Sequence, residues 1–272
     1  MMIVDRNLCI GCGKCVKDCF PEDIVMEDNC AKIKNKTCIE CGHCIAICPT
    51  NAITTDHYYM DEVVDYSKET FDVKAGNLLN FIKFRRTIRQ FKDREVEVEK
   101  IIQIIEAGRF TQTAANMQDV SYVVVKDKMD ELKELTFESL KNIAEHMLAN
   151  LTPETRSYKY YAMKWIQMYE AYKENPANDK LFFNAPTLII VAAKSELNGA
   201  LASSNMELMT NALGLGTLFS GFITRAAKDN DAIKKLLGIS KGKEIVTCMV
   251  IGYPAVTYKR TAPRKTAEIN WV

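Results

Sequence analysis

The chain has 272 residues, enough for one large domain or a large one with a small companion. Hydrophobic residues make up 47% and charged residues 26%, which excludes wholesale disorder, and 36 Lys plus Arg against 35 Asp plus Glu exclude a general nucleic-acid binder. No apolar run reaches the ~18–20 residues of a membrane span, and Met1-Met2-Ile3-Val4-Asp5-Arg6 turns charged at once, so a cytoplasmic protein with no membrane partner is expected.

Of ten cysteines, nine precede residue 50 and Cys248 alone follows. In a reducing compartment such density points to metal rather than to disulfides. Cys9, Cys12, Cys15 and Cys19 read C-x2-C-x2-C-x3-C; Cys38, Cys41, Cys44 and Cys48 repeat the run, followed by Pro49. Ile24 and Ile53 each stand five residues beyond the last cysteine of their run. Two copies of a unit too short to build its own core predict a pseudo-symmetric pair around a shared interior. Loops with two residues between thiolates can wrap an iron–sulfur cubane, and Gly11, Gly13 and Gly42 relieve crowding there. Paired structural zinc sites are the rival, but the third close cysteine and the fourth after three residues fit zinc spacing poorly. Residues 1–55 resemble the two-cluster bacterial ferredoxins, with Phe20 between Cys19 and Pro21 as a departure. That resemblance implies crossed ligation: Cys9, Cys12, Cys15 and Cys48 hold one 4Fe-4S cluster, and Cys38, Cys41, Cys44 and Cys19 hold the second. Cys30 lies outside both runs and reads as a bland thiol, with an alternative ligand role as its rival. Cys248 reads as a small buried hydrophobe.

Residues 56–80 are polar and weakly periodic and read as a connector, leaving residues 81–272 as the body. Val96 to Phe110 has the period of a buried helix, and Ser121 to Lys126 that of a strand. Met129 to Leu148 and Thr155 to Lys173 read as helices, and Thr187 to Ala192, opened by Pro186, as a buried strand. Leu197 to Leu213 reads as a helix stopped by Gly214, and Glu244 to Tyr253 as another buried strand. Few strands among long helices predict an α+β body. Tyr161, Trp165 and Tyr169 share one helical face, which suits a core or dimer interface better than a pocket wall.

A ferredoxin head moves single electrons and needs a terminus in the body. No G-x-G-x-x-G follows a strand and no Walker lysine loop appears, so a Rossmann nucleotide site lacks support. His43, His57 and His146 form no metal-spaced pair, and no residue is assigned acid–base catalysis. Arg85-Arg86-Thr87-Ile88-Arg89 suits a phosphate dianion, though such a run in isolation reads more readily as a solvated basic turn. Lys259, Arg260, Arg264 and Lys265 form a second cationic group.

Together with Thr111–Gln118, Asn184-Ala185-Pro186, Leu213-Gly214-Leu215-Gly216-Thr217 before Ser220-Gly221, Gly252-Tyr253-Pro254 and Pro263-Arg264-Lys265, this run resembles the nitroreductase-like flavoproteins. Gln112 and Asp119 depart from that family's pattern. The resemblance implies FMN, with Arg85, Arg86, Thr87, Arg89 and Arg264 on its phosphate. It implies that Gln112, Thr113, Ala114 and Asn116 lie on a loop reaching the flavin, Asn116 through its amide. It also implies a backbone N–H near Ser220 and Gly221 donating to flavin N5, although Leu-Gly-Leu-Gly alone reads as a helix C-cap and turn. The expected protein is a homodimeric iron–sulfur flavoprotein oxidoreductase that passes electrons from two clusters through FMN to a nitroaromatic, a quinone or another electron-poor small molecule. NAD(P)H or an external ferredoxin would supply them. Dehalogenation or enone reduction on the same scaffold, and a non-catalytic carrier or redox sensor, are the alternatives.

Overall fold

A computed structural model describes residues 1–228 and 230–272 and divides the chain into two units. The first is Met1–Lys74 with Thr113–Met117; the second is Ala75–Gln112 with Gln118–Val272. The stretch read as a connector is therefore split. Its first part stays with the first unit and includes a short helix, α3 (Lys68–Phe71), while a second helix, α4 (Ala75–Phe84), opens the second unit. The segment at 113–117 belongs to the first unit although its sequence neighbours belong to the second.

The first unit realises the internal repeat. Strand β1 (Met2–Val4) pairs antiparallel with β4 (Ile53–Thr55), and β2 (Ile24–Glu27) with β3 (Cys30–Ile33). After each leading cysteine loop comes a short helix, α1 (Lys14–Asp18) and α2 (His43–Ala46). Their N-caps are Gly13 at φ 67° and Gly42 at φ 75°, left-handed values that favour glycine. Ile24 and Ile53, equivalent in the two repeats, are buried with Cys15 and Ala31 in one small core. Asp23 is also buried; it accepts from the Lys36 and Thr37 amides and the Thr37 hydroxyl, and so fixes the chain just ahead of Cys38.

The second unit is built on a four-stranded antiparallel sheet in the order β5–β6–β8–β7: Ser121–Val125, Thr187–Ala193, Glu244–Gly252 and Gly216–Phe219. Every residue of β6 is buried, as expected of an unbroken run of apolar and β-branched residues in a central strand. Alternation divides its side chains between two cores. Ile189 and Val191 join Met249 and Ile251 beneath α5 (Val98–Arg109) and α8 (Glu196–Ala212). Leu188 and Ile190 join Cys248 and Val250 in the other core, beneath α6 (Met129–Ala149) and α9 (Gly221–Ala227), with α7 (Lys159–Glu174) and α10 (Asp231–Leu236) packed on α6. Trp165 and Tyr169 sit partly buried at the margin of this core and Tyr161 is exposed, so the aromatic stripe is divided. Among the described residues no helix is long and apolar enough to cross a membrane.

Candidate functional site

The first unit gathers its thiols in two groups. Cys9, Cys12, Cys15 and Cys48 line one cavity, together with Gly11, Gly13 and Ile53. Cys19, Cys38, Cys41 and Cys44 line a second, with Pro21, Gly42 and Ile33. Each cavity thus takes three cysteines from one run and the last cysteine of the other. Among the described residues no three Cys, His, Asp or Glu side chains close on a single-ion site.

Backbone amides point at these sulfurs. Ala31 N donates to Cys9 Sγ at 3.5 Å, Ala52 N to Cys48 Sγ at 3.3 Å and Glu40 N to Cys38 Sγ at 3.4 Å. Hydrogen bonds from Ala31 and Gly11 lower the Cys9 pKa; at Cys48 burial pushes up, but amides of Thr50 and Ala52 outweigh it. Burial raises Cys15, and burial with the neighbouring Cys38 and Cys41 charges raises Cys44 to about 11. A cationic centre reverses that preference, since a coordinating thiol gives up its proton. Cys30 is buried at the head of β3, outside both cavity linings, and its thiol faces the Ala31 carbonyl at 3.6 Å.

One difference between the two repeats falls in the loop between their first two cysteines. Gly11 has φ 69°, and a Cβ there would lie 2.6 Å from the Asn29 carbonyl oxygen, so glycine is required. Its counterpart is Glu40, also left-handed at φ 54° but carrying a side chain, whose carboxylate contacts the His57 imidazole. Asn116, expected on the flavin, is engaged beside this position. Its Nδ2 donates to the Ile39 and Glu40 carbonyls at 3.0 and 2.9 Å. Thr113 and Ala114 lie on the same segment of the first unit, whereas Gln112 is an exposed residue of the second.

In the second unit the basic run follows the helix Ala75–Phe84, here α4, as an extended segment laid along β7. Thr87 bridges Thr217, and Ile88 N donates to Thr217 O at 3.0 Å. The approach is close enough that a Cβ on Gly216 would lie 2.5 Å from Ile88 Cγ1. Arg85 forms an ion pair with Glu207 of α8, and Arg86 Nη1 donates to the Lys83 and Arg85 carbonyls. Arg85 Nε and Arg86 Nη2 are buried and have no partner. Two orphaned guanidinium nitrogens on consecutive residues are what a bound anion would satisfy, so the residues fit a phosphate. Thr87 and Arg89 are exposed.

Other expected contacts are not gathered here. Arg264 lies in the exposed segment after Pro254, donating to the Pro263 carbonyl at 3.1 Å. The Leu-Gly-Leu-Gly amides close the α8 C-terminus: Gly214 N donates to Asn211 O and Leu215 N to Thr210 O, at 3.1 and 3.0 Å, with Gly214 at φ 73°. Ser220 is buried; its N–H donates to Cys248 O at 2.8 Å and its hydroxyl to Leu181 O at 3.4 Å, so it is turned inward. Of that pair only Gly221 faces open space, with nothing within 4 Å of a built Cβ.

Three groups escaped the sequence reading. Glu207 carries no local signal, because its partner Arg85 is 122 residues away. Asp119, noted only as a departure, accepts from Lys194 N, Ser195 N and Asn198 Nδ2 at 2.9, 2.9 and 2.7 Å and so fixes the start of α8. Tyr253 donates to Glu97 at 2.5 Å and accepts from Lys100 at 2.8 Å, joining the end of β8 to α5; the Tyr253 hydroxyl first, then the Glu97 backbone N–H and Arg94, hold the Glu97 carboxyl at about 2.

Comparison with known proteins accords with this architecture. The sequence model described as "Nitroreductase family" matches residues 82–253, and "4Fe-4S dicluster domain" matches residues 1–57. An Archaeoglobus fulgidus protein provisionally named NADH dehydrogenase/NAD(P)H nitroreductase is 26% identical over 181 residues, 65% of this chain and 84% of the relative. A nitroreductase with bound FMN from Bacteroides fragilis superposes with a TM-score of 0.54 at 20% identity, covering 71% of this chain and 97% of its own. An FMN-dependent nitroreductase from Clostridium difficile gives 0.54 at 18% identity, covering 73% and 100%.

Proposed function

The chain belongs to the nitroreductase family, and from that membership we propose that it carries electrons from two 4Fe-4S clusters to FMN and on to a small electron-poor acceptor, a nitroaromatic or a quinone. It is an oxidoreductase of that family bearing a dicluster domain. The observation that carries the reading is the presence, in one chain, of two four-thiol cavities and a basic segment with two buried, unpartnered guanidinium nitrogens.

The chain's own residues have definable tasks. Arg85 and Arg86 hold the phosphate, and Glu207 fixes the Arg85 guanidinium so that its Nε stays aimed. The pairing of Thr87 and Ile88 with Thr217 gives this segment a rigid footing on the sheet. Gly221 leaves room for a planar ring to approach the backbone. Bound FMN would supply the conversion between one- and two-electron chemistry, so no acid–base triad is needed. In the first unit the Ala31, Glu40 and Ala52 amides stabilise negative charge on the cluster sulfurs.

A homodimer completes the reading. Helix α4 exposes Leu78, Leu79, Ile82 and Phe84 and buries none of its residues, an apolar surface suited to a second copy. The test is anaerobic. Oxidised protein is mixed with NADH, NADPH or reduced ferredoxin and flavin absorbance is followed, then nitroaromatic and quinone acceptors are added. Bleaching by one donor and recovery with an acceptor are expected; protein that retains about eight irons but no flavin would overturn the reading.

A further inference from the structure

Asn116 sits in a run of left-handed backbone that its neighbours Ala115 and Gln118 do not favour. Ala115, Asn116 and Gln118 have φ of 48°, 53° and 45°, three non-glycine residues in the left-handed region within four positions. Such a run persists only when its surroundings fix it. The Asn116 amide has two N–H groups, and Nδ2 donates to two carbonyls, Ile39 O and Glu40 O, at 3.0 and 2.9 Å. Both acceptors lie between Cys38 and Cys41, within the loop that supplies the second cavity.

The Ile39 carbonyl and the Glu40 N–H are opposite ends of one planar peptide group. Fixing the carbonyl therefore fixes the N–H, which donates to Cys38 Sγ at 3.4 Å. The first repeat needs no such clamp. Its equivalent residue is Gly11, which adopts the left-handed conformation freely, whereas Glu40 adopts it with a side chain.

We propose that Asn116 is a positioning residue for the second cluster: by gripping the 39–40 peptide it aims the Glu40 N–H at Cys38 Sγ and raises the reduction potential of the cluster held by Cys19, Cys38, Cys41 and Cys44. The inference rests on the proposed iron–sulfur function and on the crossed thiol sets of the two cavities. An N–H···S bond stabilises the extra negative charge of the reduced cluster, so removing the clamp lowers that potential.

The test uses anaerobic holoprotein and two variants. Asn116→Gly keeps the left-handed backbone without strain and removes the amide; Asn116→Asp also tolerates that backbone but replaces both donors with acceptors. Redox titration followed by electron paramagnetic resonance resolves the clusters, and the second is identified as the one whose signal Cys41→Ala abolishes. In both variants its one-electron reduction constant is expected to fall about tenfold, ~59 mV, with the other cluster and the iron content unchanged. Unmoved cluster potentials overturn the proposal. So does a shift confined to the flavin, which would return Asn116 to that cofactor, or loss of iron from both variants, which would make its role one of folding. A parent protein without flavin or without iron would instead defeat the functional reading itself.

Discussion

Arg86 is a cleaner probe of the basic segment than Arg85. Removing Arg85 strands the Glu207 carboxylate, whereas Arg86 Nη2 has no protein partner to strand. A charged hydrogen bond contributes roughly 1.5–3 kcal/mol, so Arg86→Ala should weaken FMN binding by about 10- to 100-fold, read by fluorescence titration of the deflavinated protein. Glu207→Gln should produce a smaller loss, because it frees Arg85 without deleting it. Tyr122 supplies a pH prediction. Its hydroxyl is buried without a partner, and burial first, then the Glu106 charge, pushes it up to about 12 from an ordinary 10. A raised folded pKa gives stability that is present below pH 10 and lost as pH rises towards 12. Tyr122→Phe should remove that alkaline loss and leave stability within about 1 kcal/mol of the parent at neutral pH, measured by denaturant midpoints across the range.

At the scale of elements, β7 matters beyond its four residues because the basic segment lies along it. Gly216→Ala would push a methyl group into Ile88 and Pro254, with Pro254 Cγ 3.0 Å from the new atom. Overpacking there should lower stability by about 1–3 kcal/mol and also weaken flavin binding, since Arg85 and Arg86 sit on the displaced segment; thermal unfolding and flavin titration read the two effects separately. This strand was not legible in the sequence: Gly216-Thr217-Leu218-Phe219 is too short to declare a period and stood out only as part of a glycine motif. By contrast β6 was legible as a continuous apolar run, and Ile24 and Ile53 as paired positions of the repeat, because burial there follows from local pattern. The helix Ala75–Phe84 was not, since none of its residues is buried and its apolar positions mark no core face. The basic run was visible as a charge cluster, but the pairing of Arg85 with Glu207 and the inward turn of Ser220 depend on residues distant in sequence.

For the whole molecule, crossed thiol sets make an unusual demand on mutagenesis. Cys48 follows the second run but lines the cavity of the first, and Cys19 does the converse. Cys48→Ala should therefore impair the cluster of Cys9, Cys12 and Cys15, and Cys19→Ala the other. Each should reduce iron from about eight towards about four per chain and leave a different resonance signal intact. If Cys48→Ala removed the signal that Cys41→Ala removes, the crossing would be refuted. The membership of Thr113–Met117 in the first unit is a second feature at this scale, fixed by hydrogen bonds to residues 77 and 76 positions earlier. Because of it, no single cut releases the electron-carrying module whole: a polypeptide stopped after Lys74 lacks five residues of its own unit. Exchanging the reductase body for another would remove them too, so neither module can be traded at a gene junction without altering the other.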